Sequence, residues 1–384
     1  MNLTLCLTHD CNLRCAYCYA GRKDARRMSW ETATRAIDFA FEQTLKRAHA
    51  VGLPSEVQIG YFGGEPLLEW DLLQRSAAYA DEAAARLGVA LTKTVTTNAS
   101  LLDAARAEWL RVNRFYVGLS LDGNAAMHDT LRHFPDGRGS HAVCAAALAH
   151  YRGPDARAEV IVVADPRNIG HLAESVEWLL SRDIWNIAVN PNFYIEWPEA
   201  ALNEWREAYG RIGELYAGCY RRGCPVRVNV FDGKIRVRIK EGYAACDKCG
   251  FGIDEVAVAP SGNLYPCERI VGDDTNEALR IGTVSDGFDA GRRAAVIACR
   301  GNTVPECEGC PVRERCMNWC GCINYATTGA VNRVAGIVCF HERMSIEAAD
   351  RVAAALFAER NPAFLAKFYQ AALPEEQASP MVFA

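Results

Sequence analysis

The sequence predicts an α/β chain: an open, partial (β/α)6 barrel followed by a cysteine-rich domain. Three observations carry this reading. Short β-branched and apolar runs alternate with long amphipathic segments up to about residue 220. The strand runs are largely apolar throughout, as parallel strands covered by helices are. Beyond them the pattern changes to short strands, glycines and paired cysteines.

Taken in order, strands are expected at Leu3 to Leu7, Glu56 to Phe62, Leu91 to Thr97, Phe115 to Leu121, Ala158 to Ala164 and Trp185 to Asn190. Helices are expected over residues 30–50, 68–87, 101–111, 140–151, 169–182 and 199–217. Six such units are too few to close an eight-stranded barrel, so the sheet stays open, with its chemistry at the C-terminal ends of the strands. Residues 1–220 form the partial barrel, 221–242 a bridging segment, 243–342 the cysteine-rich domain and 343–384 a C-terminal helix and tail. Within the bridge, Lys234 to Lys240 alternates charge at period two and reads as a strand with four cations on one face. That face is solvated or edge-protecting, or else guides an acidic leader peptide by strand addition. Val256 to Ala259, Pro260-Ser261-Gly262 and Asn263 to Tyr265 read as a hairpin. Residues 344–358 regain helical periodicity, and Pro374 to Ala384 reads as poorly ordered.

Lys plus Arg number 42 against 47 Asp plus Glu, a net charge of -5 that gives no sequence-wide attraction for nucleic acid. No apolar run approaches the ~20 residues that span a membrane. The N-terminus also lacks the regions of a secretory signal. A cytoplasmic protein with neither a nucleic-acid nor a membrane partner is expected. In that compartment 17 cysteines argue for metal or redox chemistry over disulfides.

Cys11, Cys15 and Cys18 form C-x3-C-x2-C in the loop after the first strand. Three thiolates can hold three irons of a four-iron, four-sulfur (4Fe-4S) cluster and leave the fourth open to a reactant. A zinc knuckle is the alternative, although structural zinc wants four ligands. With aromatic Tyr17 just before the last cysteine, the motif resembles that of the radical S-adenosylmethionine superfamily. Gly63-Gly64-Glu65-Pro66, Thr97-Asn98 and Ser120-Leu121-Asp122-Gly123 follow at the ends of the next three predicted strands. The resemblance implies that Gly63, Gly64 and Glu65 meet the amino group of S-adenosylmethionine. It places Thr97, Asn98, Ser120 and Asp122 at the ribose and carboxylate, with Arg132 a further candidate for the carboxylate. The chemistry suits these roles: glycines admit close backbone approach, Glu65 offers an anion to an ammonium, and Ser120 or Asn98 can bond hydroxyls. Singly, each motif is also an ordinary turn signal. His9 and His128 lie near this region and read as structural.

Cys246, Cys249, Cys267, Cys307, Cys310, Cys316, Cys320 and Cys339 supply eight more thiols, enough for two four-cysteine clusters or for two structural zinc ions. Their spacing resembles the SPASM domain, an auxiliary-cluster extension of radical S-adenosylmethionine enzymes. Carried over, its interleaved connectivity gives Cys246, Cys249, Cys267 and Cys320 to one cluster and Cys307, Cys310, Cys316 and Cys339 to the other. With the first site that implies three 4Fe-4S clusters. Cys322 is an extra thiol able to exchange with Cys320, and Cys6, Cys144, Cys219, Cys224 and Cys299 read as small buried hydrophobes.

The resemblance implies that S-adenosylmethionine is cleaved to a 5′-deoxyadenosyl radical that takes hydrogen from a substrate, the auxiliary clusters accepting an electron or contacting that substrate. Glu268 follows Cys267 where the similar anaerobic sulfatase-maturating enzymes have an aspartate base. It is the candidate catalytic base, a surface pair with Arg269 or Lys248 being the alternative. The leading expectation is a maturase that installs a thioether or carbon-carbon cross-link in a ribosomally made peptide. Formylglycine formation in a sulfatase is the alternative within enzymes; an iron-sulfur electron carrier or binding scaffold is the alternative outside them. Expected partners are a peptide or protein substrate and a reductant such as flavodoxin or ferredoxin. Because the chain opens within two residues of its first strand, leader recognition is expected to use the barrel face, the SPASM domain or a separate leader-binding protein.

Overall fold

Six parallel strands lie side by side in chain order: β1 (Asn2–Cys6), β2 (Glu56–Phe62), β3 (Ala90–Thr97), β4 (Tyr116–Ser120), β5 (Ala158–Ala164) and β6 (Asn186–Pro191). They come from a computed structural model that describes residues 1–52, 55–301 and 307–369. Burial explains the parallel arrangement, since β5 exposes part of only one residue to either face. The intervening helices are α1 (Trp30–Val51), α2 (Trp70–Leu87), α3 (Ala104–Val112), α4 (Ala125–His128), α5 (His141–Ala146), α6 (Leu172–Leu180) and α7 (Glu199–Arg221). α1 starts where the Ser29 hydroxyl accepts the Thr32 amide at 3.0 Å. It stops at Gly52, whose φ of 65° suits glycine. Among the described residues no helix is long and apolar enough to cross a membrane.

A two-residue strand, β7 (Arg227–Val228), ends the row beyond β6, and the sheet does not close. The free edge of β1 is instead taken by β8 (Glu255–Val258), parallel, with Leu3 opposite Val256. The antiparallel strands β9 (Asn263–Tyr265), β10 (Gly282–Thr283) and β11 (Gly287–Phe288) follow. The hairpin is thus where the sequence placed it, but the cysteine-rich segment lacks the separate core expected of a second domain. Val256, Ala257, Val258 and Leu264 are fully buried within one apolar core that runs from Leu3 to Phe364.

The expected strand over Lys234 to Lys240 is also corrected. These residues belong largely to helix α8 (Asn229–Ile239), which packs on α12 (Gly336–Ala358); α9 (Glu268–Val271), α10 (Ala290–Gly301) and α11 (Gly321–Thr328) precede α12, and α13 (Pro362–Phe368) follows it. Period two and a helical stripe coincide here, because Val230, Phe231, Lys234 and Ile235 share one buried face. Lys234 is buried against Glu342, its Nζ donating at 2.6 Å. α12 begins earlier than residue 344 and carries Cys339 in its first turn. The tail from Pro374 to Ala384 lies outside the described residues.

Burial works against the charge on Glu342, but Lys234 outweighs it and holds the carboxyl at about 2. That value lies below the ~4.3 of an unfolded glutamate, so the stabilisation is complete above about pH 4 and lost as pH falls towards 2. Lys234→Met is expected to strand the carboxylate and lower unfolding free energy by about 3–5 kcal/mol at pH 7. Urea melts at several pH values check this, the deficit shrinking below about pH 4.

Candidate active site

The loop after β1 is held from two sides. Its Arg14 and Ala16 amides donate to the carbonyls of His133 and Leu131 at 2.7 and 2.9 Å. On the other flank the Gly64 and Glu65 amides donate to the carbonyls of Thr8 and Asp10 at 2.7 and 2.9 Å. A Cβ on Gly64 would lie 2.0 Å from the Asp10 carbonyl oxygen, and one on Gly63, at φ 133°, 2.4 Å from that of Thr8. The two glycines therefore serve first to let the end of β2 touch the cysteine loop. Cys11 is buried, Cys15 half-buried and Cys18 exposed, with Lys23 Nζ 3.1 Å from the Cys18 sulfur. Burial pushes the thiol of Cys11 up to about 12 and that of Cys15 to about 11. Metal loading must displace those protons.

The Glu65 carboxylate is engaged by the protein. Fully buried, it accepts the Thr97 hydroxyl at 2.7 Å and the Leu67 and Asn98 amides at 3.0 and 2.8 Å. Asn98 turns its amide towards Asn12 at 2.9 Å and the Cys11 sulfur at 3.8 Å, which ties β3 to the cysteine loop. Asp122 and Arg132 hold one another: Arg132 Nε and Nη2 donate to Asp122 at 3.0 and 3.2 Å. Asp122 also accepts the Tyr17 hydroxyl at 2.5 Å and the Val163 amide at 2.9 Å. Ser120 is half-buried at the end of β4 and makes no side-chain hydrogen bond among the described residues. His128 is structural, its ring bonded to the Asp122 amide and Ser140, and burial holds its pKa down at about 2.

Cys249, Cys267 and Cys320 interact electrostatically in one group, and Cys307, Cys310, Cys316 and Cys339 in another. Cys246 is exposed. Glu268 is buried rather than on the surface, and accepts from the Cys267 thiol at 3.4 Å. Burial, and next the Glu268 carboxylate, push Glu255 up to about 8. Sequence reasoning missed a stack that joins the two cysteine regions. The Arg269 guanidinium lies 4.8 Å from the centre of the Tyr19 ring, and Tyr19 stacks on Phe62 and Tyr194 at 6.2 and 6.3 Å. The only signal was position, since Tyr19 follows Cys18 and Arg269 follows Glu268.

Residues 5–179 match the Radical SAM superfamily. Those residues form a radical S-adenosylmethionine domain. The family implies a 4Fe-4S cluster and S-adenosylmethionine, and the three-thiol loop has the donor chemistry for such a cluster. A serine-type anaerobic sulfatase-maturating enzyme of Klebsiella aerogenes is 26% identical over 350 residues, 85% of this chain and 80% of that enzyme. An uncharacterised protein of Methanocaldococcus jannaschii is 27% identical over 187 residues, 49% of this chain and 61% of that protein. The structure of native anSMEcpe with bound AdoMet and Cp18Cys peptide superposes with a TM-score of 0.76, covering 94% of this chain and 100% of that one at 17% identity. At that identity the likeness speaks for the fold. The superposition takes in the cysteine-rich region as well as the barrel.

Proposed function

We propose that this enzyme oxidises a cysteine or serine side chain of a peptide or protein to formylglycine, using S-adenosylmethionine at the Cys11, Cys15 and Cys18 loop and two auxiliary clusters in the cysteine-rich region. The observation that carries this is the Cys267-Glu268-Arg269 segment. Glu268 sits 3.4 Å from a thiol of the auxiliary set, while Arg269 packs on Tyr19 beside Cys18. Such an oxidation removes a hydrogen atom, a proton and an electron, giving the aldehyde directly from serine, or from cysteine a thioaldehyde that takes up water and releases hydrogen sulfide; a base and an electron acceptor beside the radical-forming loop suit it. When bound, S-adenosylmethionine and its cluster supply the radical that takes the hydrogen atom. Glu268 receives the proton of the substrate thiol or hydroxyl. Neighbouring Glu255, kept protonated near neutrality, avoids placing two buried negative charges together. Ser120 and the backbone of Gly63 to Glu65 contact S-adenosylmethionine, and Glu65, Asp122, Arg132 and Tyr17 hold the walls around it. A flavodoxin or ferredoxin supplies the electron. The span of likeness to sulfatase maturases, 85% of this chain, supports this reading over peptide cross-linking.

Anaerobic turnover with a sulfatase-derived peptide tests it, reading 5′-deoxyadenosine and hydrazide-reactive aldehyde together. Glu268→Gln is expected to keep nucleoside formation and lower aldehyde by at least about 10²-fold; undiminished aldehyde would remove Glu268 as the base. A product lighter by two hydrogens that does not react with hydrazide would replace formylglycine with a cross-link.

A further inference from the structure

Cys322 is not a spare thiol. It is 5% exposed, its sulfur lies 3.6 Å from that of Cys320, and it interacts electrostatically with Cys267. It therefore stands between two members of the first auxiliary set, in the volume that a cluster built on them must fill. Cys320 caps the N-terminus of α11 and Cys322 sits in its first turn. Gly321, between them, is clamped: a Cβ there would meet the Phe251 ring at 2.9 Å and Val331 at 3.1 Å. The backbone between the two thiols is therefore closely packed. A buried thiol in that place either blocks the cluster or ligates it. Cys246 offers the opposite picture. It is exposed on the turn Ala245–Asp247, where Asp247 is tied to Lys240 at 2.8 Å and the Ala244 amide at 2.9 Å.

We propose that the first auxiliary cluster is held by Cys249, Cys267, Cys320 and Cys322, and that Cys246 is not a ligand. The inference rests on the reading above that two auxiliary clusters are present. Each thiol binds as its thiolate and releases a proton. The Arg269 guanidinium, which interacts electrostatically with both Cys320 and Cys322, offsets the gathered negative charge.

The test uses the full chain with Cys11, Cys15 and Cys18 replaced by alanine, reconstituted anaerobically with ferrous iron and sulfide. Iron, labile sulfide, zinc and the electron paramagnetic resonance spectrum of the reduced protein are measured. The background chain is expected to hold about eight irons, Cys322→Ala about four with one signal lost, and Cys246→Ala about eight with both signals intact. Full iron and an unchanged spectrum in Cys322→Ala, or loss of a cluster in Cys246→Ala, would overturn the assignment. Cys322→Ser and the circular dichroism of each unloaded variant separate a ligand effect from misfolding: loss of iron with native dichroism supports it, and loss only with collapsed dichroism counts against it. A background chain holding about four irons or none, or holding zinc, would remove the two-cluster reading itself.

Discussion

Cys15→Ala is expected to abolish cleavage of S-adenosylmethionine, lowering 5′-deoxyadenosine formation by at least about 10³-fold while leaving the auxiliary iron in place. Cys15 is the middle cysteine of the loop, and its carbonyl accepts the Cys18 amide at 3.2 Å. Its removal leaves two thiols where three must hold the cluster. A further thiol is Cys144 on α5, which interacts electrostatically with Cys15. Cys144 is buried on α5, apart from the loop that carries the other two thiols, and is a poor substitute. Cys15→Ala and the double variant with Cys144→Ala should therefore behave alike. Chromatography of the nucleoside and iron analysis of the same samples check this, iron falling from about twelve to about eight per chain. Undiminished deoxyadenosine in Cys15→Ala would separate the loop from the chemistry, and activity lost only in the double variant would make Cys144 a working ligand.

The strands and most helices of the barrel were legible because burial on both faces leaves long apolar runs, as in β5, and because caps such as Ser29 and Gly52 mark the ends of α1. The order of the motifs along the chain was legible for the same reason, each falling where a strand stops. The direction of a side chain was not. Glu65 and Asp122 lie just beyond the ends of β2 and β4, and Arg132 follows α4; a ligand contact was expected of each, and each bonds to protein partners. A motif names residues without saying which of its groups face inward. α8 was misread because alternating charge hid a helical stripe whose decisive member, Lys234, is paired with Glu342 from a distant helix. The same holds for Tyr19, Tyr194 and Arg269, whose meeting depends on three segments far apart in sequence.

The Asp122–Arg132 pair shows what those inward-facing groups do. Asp122 is fully buried and Arg132 is 6% exposed. The guanidinium also lies 5.2 Å from the centre of the Tyr17 ring. Asp122 thus joins β4, the amide of Val163 on β5, and the residue between Cys15 and Cys18 through one carboxylate. Asp122→Ala leaves a buried cation without its counter-charge and is expected to cost about 3–5 kcal/mol of unfolding free energy. Arg132→Met should cost less, because the remaining carboxylate keeps two donors, and Tyr17→Phe about 1.5–3 kcal/mol for one hydrogen bond to a charged acceptor. Urea melts of the three single variants and of the Asp122→Ala, Arg132→Met double variant measure the coupling directly. A double variant more stable than Asp122→Ala alone would show that the stranded cation, rather than a cavity, carries the cost. An Asp122→Ala chain within about 1 kcal/mol of the parent would mean that water reaches Arg132, and the pair would then not be what stiffens the loop beneath the cysteines.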